Sequence, residues 1–315
     1  MSTVRILEAV PNFSAGRDPR VVTEIVAAVE EAGAEVLDWS ADPDHNRAVV
    51  TFIGTPETVE DAAIAAARVA VRRIDLRTHS GLHPRIGAID VLPFVPLVGL
   101  SPEDARESAH RVGKRLACEV GVPVYYYADA SNPAGRSLAE LRRGGFEALL
   151  EQWPEDRIPD MVPADWHHPG AHPTAGATAV GSRPVLLAWN VVVGGIDLTQ
   201  AKRIAKEIRE TNGGIDGVRA LAFALKSNGR VQISMNLEDV ERNSPMNVFR
   251  RIEHRVAEVG GNIIETEVIG MLPDALLVEA ASDRLNLVKP AASKQLTRQV
   301  LRHAAQQQSP VRSAE

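Results

Sequence analysis

Cysteine is almost missing from this sequence. Cys118 is the only one among 315 residues, so no disulfide can form within the chain, which fits a reducing compartment. Its surroundings, GKRLACEVG, read as a helix face and lack the neighbouring His, second Cys or helix start that would activate a thiol. Long apolar runs are missing as well. No stretch approaches the ~20 residues of a membrane span, and the opening MSTVRILEAVPNFSAGRD has no continuous apolar signal core, so a cytoplasmic protein is expected. Basic runs are equally absent: the formal charge is −6 with Lys and Arg dispersed, which leaves no electrostatic footprint for nucleic acid. No G-x-S-x-G elbow occurs, and Gly16, Gly81 and Gly87 fit neither the Rossmann nor the Walker phosphate-loop spacing.

What remains is ordinary globular material, 44% hydrophobic and 24% charged, which excludes a largely disordered chain. Its length favours two domains. VRILEAV, closed by Pro11, reads as a strand. A helix follows, with Asp18 as cap, Pro19 in the first turn, apolar residues at helical spacing from Val21 to Val29, and Gly33 as its end. EVLDW and RAVVTFIG read as strands around the polar loop DPDHNR, and Thr55-Pro56 opens a second helix, periodic from Val59 to Ile74. RTHSGLHPRIGAIDVLPFVPLVGL is a Gly/Pro-rich loop feeding a strand. SPEDARESAHRVGKRLACEVG is a helix capped by Ser101 with acidic residues in its first turn, and PVYYYAD is a strand. The alternation predicts a helix-covered sheet.

The stretch from about 154 to 182, rich in Pro, Gly, His, Ala and Thr, is the candidate connection between domains. Two strand–helix blocks follow it, VLLAWNVVV with LTQAKRIAKEIRETNGG and VRALAFALKSNGRVQISMNLEDV with SPMNVFRRIEHRVAEVGG, and then the strand IIETEVIGMLP. That rhythm is ferredoxin-like. The expected architecture is therefore α/β (α+β), with two subdomains, each a mixed or antiparallel sheet covered by helices. The first subdomain spans 1–178, the ferredoxin-like second spans 179–302, and 303–315 is a frayed polar tail.

Chemistry concentrates in HSGLHPRIGAIDVLPF, His79 to Phe94. His79 and His83 have the spacing of helical metal ligands, but Gly81 and Pro84 oppose the helix that would aim both at one ion. Pro84 biases His83 toward an extended backbone, so its imidazole is displayed on a stiff loop. There it is either structural or a proton-transfer group able to accept and return a proton near neutrality. Arg85 is a carboxylate clamp or a surface ion pair. Asp90, inside an apolar strand, needs a partner, and is either a structural anchor for the loop or an orienter of a catalytic His. Asn12, in PNFS at a strand end, can read an amide or pterin edge or simply form a turn with Ser14. DPDHNR, from Asp42 to Arg47, gathers charge in one loop, and the triplet His167, His168 and His172 reads as a solvated loop in preference to a metal site. These residues name no substrate by themselves.

The chain resembles the formiminotransferase domain of glutamate formiminotransferase and of formiminotransferase–cyclodeaminase. The similarity lies in VPNFS at 10–14, NRAVVTFIG at 46–54, HSGLHPRIGAIDVLPFVP at 79–96, PVYYY at 123–127, LRRGGFEAL at 141–149, GSRPVLLAWNV at 181–191, QISMNL at 232–237 and VIGMLP at 268–273, in order and over nearly the whole chain. The resemblance implies transfer of a formimino group from formiminoglutamate to the 5-nitrogen of tetrahydrofolate, a co-substrate, with no metal, in a homodimer of two-subdomain chains. It places the catalytic His on His83 and suggests Asn12, Asn46, Arg47, Arg85, Asp90, Arg183 and Asn190 as contacts to substrate or folate. Where the family has G-E-H-P-R, this chain has GLHPR, with Leu82 in place of the Glu. Formyl transfer between 5-formyltetrahydrofolate and glutamate, or folate binding without catalysis, stay open as alternatives.

Overall fold

The computed structural model describes residues 4–225, 229–238, 240 and 243–285. They form two compact units that meet in sequence at Pro184 and Val185. The expected tail, and the end of the second subdomain at 302, lie outside the described residues.

In the first unit, Pro11 interrupts what would be one strand, giving β1 (Ile6–Ala9) and β2 (Asn12–Phe13). Both halves lie between β4 (Arg47–Gly54) and β5 (Ile89–Val98). β3 (Glu35–Asp42) pairs antiparallel with β4. Beyond β5 the sheet turns parallel, through β7 (Thr178–Ser182) to β6 (Val124–Ala128). The sheet is thus mixed. β7 is an interior strand, so the Pro/Gly-rich stretch from 154 to 182 belongs to the first unit and the division falls after Pro184, not at 178.

Three helices cover one face. Helix α1 (Pro19–Glu31) starts where the Asp18 carboxylate accepts the Arg20 N–H, and α2 (Pro56–Arg73) starts where the Thr55 hydroxyl accepts that of Thr58. Helix α3 (Pro102–Arg115) has a reciprocal capping box of Ser101 and Asp104. Each cap satisfies amides that the first turn leaves without partners. The expected continuation of α3 to Gly121 widens into a π turn over Leu116–Val120, closed by Gly121 at φ 83°.

Strand alternation sends Leu7, Ala9, Phe13, Ala48, Val50 and Phe52 into the core beneath these helices. It sends Asn12, Arg47 and Thr51 to the opposite face. A smaller cluster, including Val91, Tyr125, Tyr127, Leu141 and Leu149, covers part of that second face. It is supplied in part by the short helices α4 (Leu138–Leu141) and α5 (Glu147–Leu150). A bulge in the pairing of β2 with β5, where Asn12 faces Val91 and Phe13 faces Ile89, turns Asp90 toward Asn12 and Arg47.

The second unit runs β8 (Leu186–Gly194), α6 (Leu198–Ile208), β9 (Val218–Ala224), β10 (Val231–Glu238), α7 (Pro245–Glu258), β11 (Asn262–Ile269). Its antiparallel sheet has the order β11-β8-β10-β9, the βαββαβ arrangement expected for a ferredoxin-like unit. Trp189, Val191, Ile233 and Met235 pack beneath α6 and α7. Helix α8 (Asp274–Leu285) was not expected from the sequence, because its apolar residues do not gather on one face. Among the described residues no helix is long and apolar enough to cross a membrane.

Candidate functional site

Three loops cross at the start of β4, and glycines let their backbones touch. A Cβ at Gly16 would lie 2.1 Å from the Asp42 carbonyl oxygen, and one at Gly81 2.1 Å from that of His45. Asn46, at φ 50°, spans the crossing: its Oδ1 accepts the Gly16 N–H at 3.0 Å and its Nδ2 donates to the Ser80 carbonyl at 3.1 Å. Its amide is committed to joining the loops. The Asp42 carboxylate turns the hairpin by accepting the amides of Asp44 and His45 at 2.8 and 2.9 Å, and Leu82 N–H donates to the Asp44 carbonyl at 3.2 Å.

His79 also has a bracing role. Its Nε2 lies 2.8 Å from the Asn46 carbonyl, which only accepts, while Nδ1 lies 2.9 Å from Arg85 Nε, which only donates. Those contacts fix a neutral ring protonated at Nε2. Arg85 turns its two terminal nitrogens to Glu147 at 3.0 and 2.7 Å, so its fork is already filled by a carboxylate of this chain.

His83 sits apart from this brace, half-buried, against Arg47. The Arg47 Nη1 lies 2.6 Å from His83 Nδ1 and 3.1 Å from Nε2. Elsewhere on the same guanidinium, Nε donates to Asn12 Oδ1 at 2.9 Å, Nη2 donates to the same oxygen, and Nη1 reaches Asp90 Oδ2 at 3.5 Å. Asn12 is held with that oxygen inward because its Nδ2 donates to the Val10 carbonyl at 2.8 Å. Asp90 is buried. Its Oδ1 accepts the Ile86 N–H at 2.8 Å, which anchors the loop that carries His83, and its Oδ2 accepts from Arg142. The His45 ring stands edge-on to His83 with centroids 6.1 Å apart.

This setting favours uncharged imidazole. Burial is the main cause holding His83 well below the ordinary value; Arg47, Arg142 and His45 push the same way, and the Pro84 carbonyl opposes them. Burial, with Arg142 beside it, also brings Arg47 down to about 9 against the pull of Asp90 and Tyr127. A neutral imidazole among fixed cations is equipped to accept a proton and return it.

The structure therefore brings together Asn12, Arg47, His83 and Asp90. Arg183 lies close enough to Tyr127 to act on it electrostatically, as Arg142 and Arg47 do, and its Nη1 donates to the Pro184 carbonyl at 3.0 Å. Asn190 lies on the helix-free face of the second sheet, accepting from Ser234 at 2.8 Å and donating to Glu267 at 3.2 Å. Arg142 was not singled out from the sequence, and His45 only as a member of the charged DPDHNR loop. Asp90 was the available signal for the first, since a buried carboxylate requires a cation. No group of three or more His, Cys, Asp and Glu among the described residues could hold a metal ion.

A helix-covered mixed sheet with an arginine-flanked histidine on its open side, joined to a ferredoxin-like unit, is the class of protein that fold and site define. The chain belongs to the formiminotransferase family: residues 6–183 match the formiminotransferase domain, N-terminal subdomain, and residues 188–294 match the formiminotransferase domain. It is 37% identical to glutamate formimidoyltransferase of Streptococcus pyogenes serotype M1, over 88% of this chain and 92% of that protein. The corresponding Thermoplasma acidophilum protein is also 37% identical, over 90% and 93%. The formimidoyltransferase-cyclodeaminase of Sus scrofa is 38% identical over 88% of this chain, which spans 52% of that longer protein.

Proposed function

We propose that this chain is a glutamate formimidoyltransferase, moving a formimino group from N-formimino-L-glutamate to the 5-nitrogen of tetrahydrofolate, with His83 as the proton carrier. The observation that carries the assignment of His83 is its imidazole, kept neutral beside Arg47 and Arg142 on a loop anchored by Asp90. The 5-nitrogen attacks the formimino carbon and gives up its proton to the imidazole. The resulting tetrahedral intermediate expels the glutamate nitrogen as imidazolium returns the proton to it, so that the old C–N bond breaks as glutamate leaves. One group serves both transfers because the two nitrogens share a carbon.

Arg47 and Arg142 present more positive charge than the Asp90 between them cancels, which suits the carboxylates of a glutamyl substrate. Arg183, beside Tyr127, and Asn190 are further candidate polar contacts. Asn12 acts through Arg47, Asn46 through the loop crossing, and Arg85 through His79 and Glu147. The same reading carries tetrahydrofolate as co-substrate, no metal, and a homodimer in the cytoplasm; light scattering of the purified chain tests the dimer. The decisive experiment is His83→Ala. Formation of 5-formiminotetrahydrofolate should fall by ~10²–10⁴-fold while tetrahydrofolate binding persists. Full turnover in that variant would remove His83 from the mechanism.

A further inference from the structure

Arg47 makes an unusual set of contacts for a buried guanidinium. Two of its three nitrogens converge on one neutral oxygen, Asn12 Oδ1, and its only carboxylate contact among the described residues is the long one to Asp90 at 3.5 Å. Asp90 is already shared with Arg142 and the Ile86 amide. The remaining edge of Arg47 rests on His83. A guanidinium has donors and no lone pair, so this contact uses an imidazole lone pair, the feature a base needs.

The Nδ1 atom of His83 is under opposed demands. It lies 2.6 Å from Arg47 Nη1 and 2.8 Å from the Pro84 carbonyl oxygen. The first contact needs a lone pair on Nδ1 and the second needs a hydrogen. Both cannot hold at once. With Arg47 on the ring, the shorter contact makes Nδ1 the acceptor and puts the hydrogen on Nε2, and the same Nη1, 3.1 Å from Nε2, screens that nitrogen as well. With Arg47 drawn away, Nδ1–H can donate to Pro84, leaving the lone pair on Nε2.

From this geometry we infer that Arg47 is a carboxylate-operated cover of His83: a substrate carboxylate recruits the guanidinium, shifts the imidazole to its Nδ1–H form, and so exposes Nε2 as the base. The inference rests on the proposed transferase activity and adds how the base is switched on. Arg47 acts here as a positioning residue. A largely buried cation whose close partners are neutral, and whose carboxylate at 3.5 Å is shared with Arg142, is incompletely compensated, and a ligand carboxylate completes it. The charged groups facing His83 are Arg47 from β4, Arg142 after α4, His45 from the β3–β4 hairpin, and Asp90 of β5 behind the two arginines. Arg85 is engaged by His79 and Glu147. Of these groups, only Arg47 both touches the ring and lacks a close carboxylate.

The test is NMR of the full chain labelled at histidine, with the His83 resonance assigned by its loss in His83→Gln, titrated with pH in the absence and presence of saturating L-glutamate. Glutamate should raise the His83 titration, because its carboxylate neutralises Arg47, and should move the ring nitrogen shifts toward the Nδ1–H tautomer. In Arg47→Met the titration should start higher and no longer respond, and kcat/KM for formiminoglutamate should fall on the order of 10- to 100-fold. Arg47→Lys, which keeps the charge without the fork, should leave the starting titration low. Bound glutamate that leaves the wild-type resonance unmoved, an equal response in Arg47→Met, or no saturable glutamate binding would each overturn the cover. Should Arg47→Met fail to fold, the wild-type titration alone decides. Failure of the cover with His83→Ala still inactive leaves the proposed activity standing, whereas an active His83→Ala removes that mechanism itself.

Discussion

Asp90→Asn offers the sharpest test of how the site is held. The carboxylate is 1% exposed and receives Arg142, Arg47 and the Ile86 amide. The amide variant has nearly the same shape and can still accept the Ile86 N–H, so packing changes little. What disappears is the negative charge between two guanidiniums whose side chains are 19% and 11% exposed. Removing one partner from such a buried arrangement costs about 3–5 kcal/mol, because the cations stay desolvated without compensation. For a unit of this size that corresponds to a melting temperature lower by roughly 6–20 °C. Urea unfolding followed by circular dichroism, with calorimetric melting beside it, reads both quantities. Adding Arg142→Gln removes the excess cation, so the double variant should lose less than the sum of the single losses. A loss under about 1 kcal/mol, or strict additivity, would refute the view that the site is built around a buried charge.

Three further outcomes follow from the same geometry. His79, His83, His110 and His172 all titrate below the ordinary imidazole value, chiefly through burial. Between each depressed folded value and the unfolded value of about 6.5 the unfolded chain binds more protons, so stability falls as pH drops through that window and recovers above it. Urea midpoints from pH 5 to 7.5 should slope upward, less steeply in His83→Gln, and a downward slope would contradict the burial argument. Gly81→Ala places a methyl against the His45 carbonyl, so the loop must shift and turnover should fall on the order of 10²-fold; unchanged kcat would mean that the crossing does not position His83. Glu147→Gln breaks an ion pair whose carboxylate side chain is 65% exposed, and its stability cost should stay within about 1 kcal/mol by chemical denaturation.

Features set by adjacent residues are legible in the chain itself. Asp18-Pro19, Thr55-Pro56 and Ser101 mark helix starts because a cap acts within three residues, and the βαββαβ rhythm of the second unit reads directly into its strand order. Non-local pairing is not legible in this way. Nothing local says that β1 and β2 lie between β4 and β5, or that β7 is interior. The Pro/Gly-rich stretch before β7 resembles a linker only until its amides are traced: Met161 donates to Val124 at 3.1 Å, Ala171 to Leu149 at 2.7 Å and Ala177 to Ile86 at 2.9 Å. His83, Arg47, Asn12 and Asp90 can each be named from sequence with the family resemblance in hand, but their mutual contacts cannot. Arg142 escapes because its partner lies 52 residues away and its own segment shows only a charged turn.

The bulge opposite β2 has a consequence for how this site tolerates insertion and deletion. By setting Asp90 and Val91 toward one side of the sheet, it works as a one-residue frame correction: upstream is the loop with His83, downstream the strand that zips to β7. Deleting a residue on the loop side would leave β5 in register but pull on the crossing that Gly81, His79 and Leu82 make with the β3–β4 hairpin. Deleting Asp90 or Val91 would instead close the bulge: strict alternation returns with Ile89, Leu92 and Phe94 still facing the helix-covered core, and what is lost is the carboxylate or the offset that aims it. A deletion at Asp90 or Val91 should therefore spare the fold and change the site, whereas one at a bound position such as Gly81 should disturb the loop crossing, which makes a library of single-residue deletions across 74–92 a direct map of where the His83 loop ends and the scaffold begins.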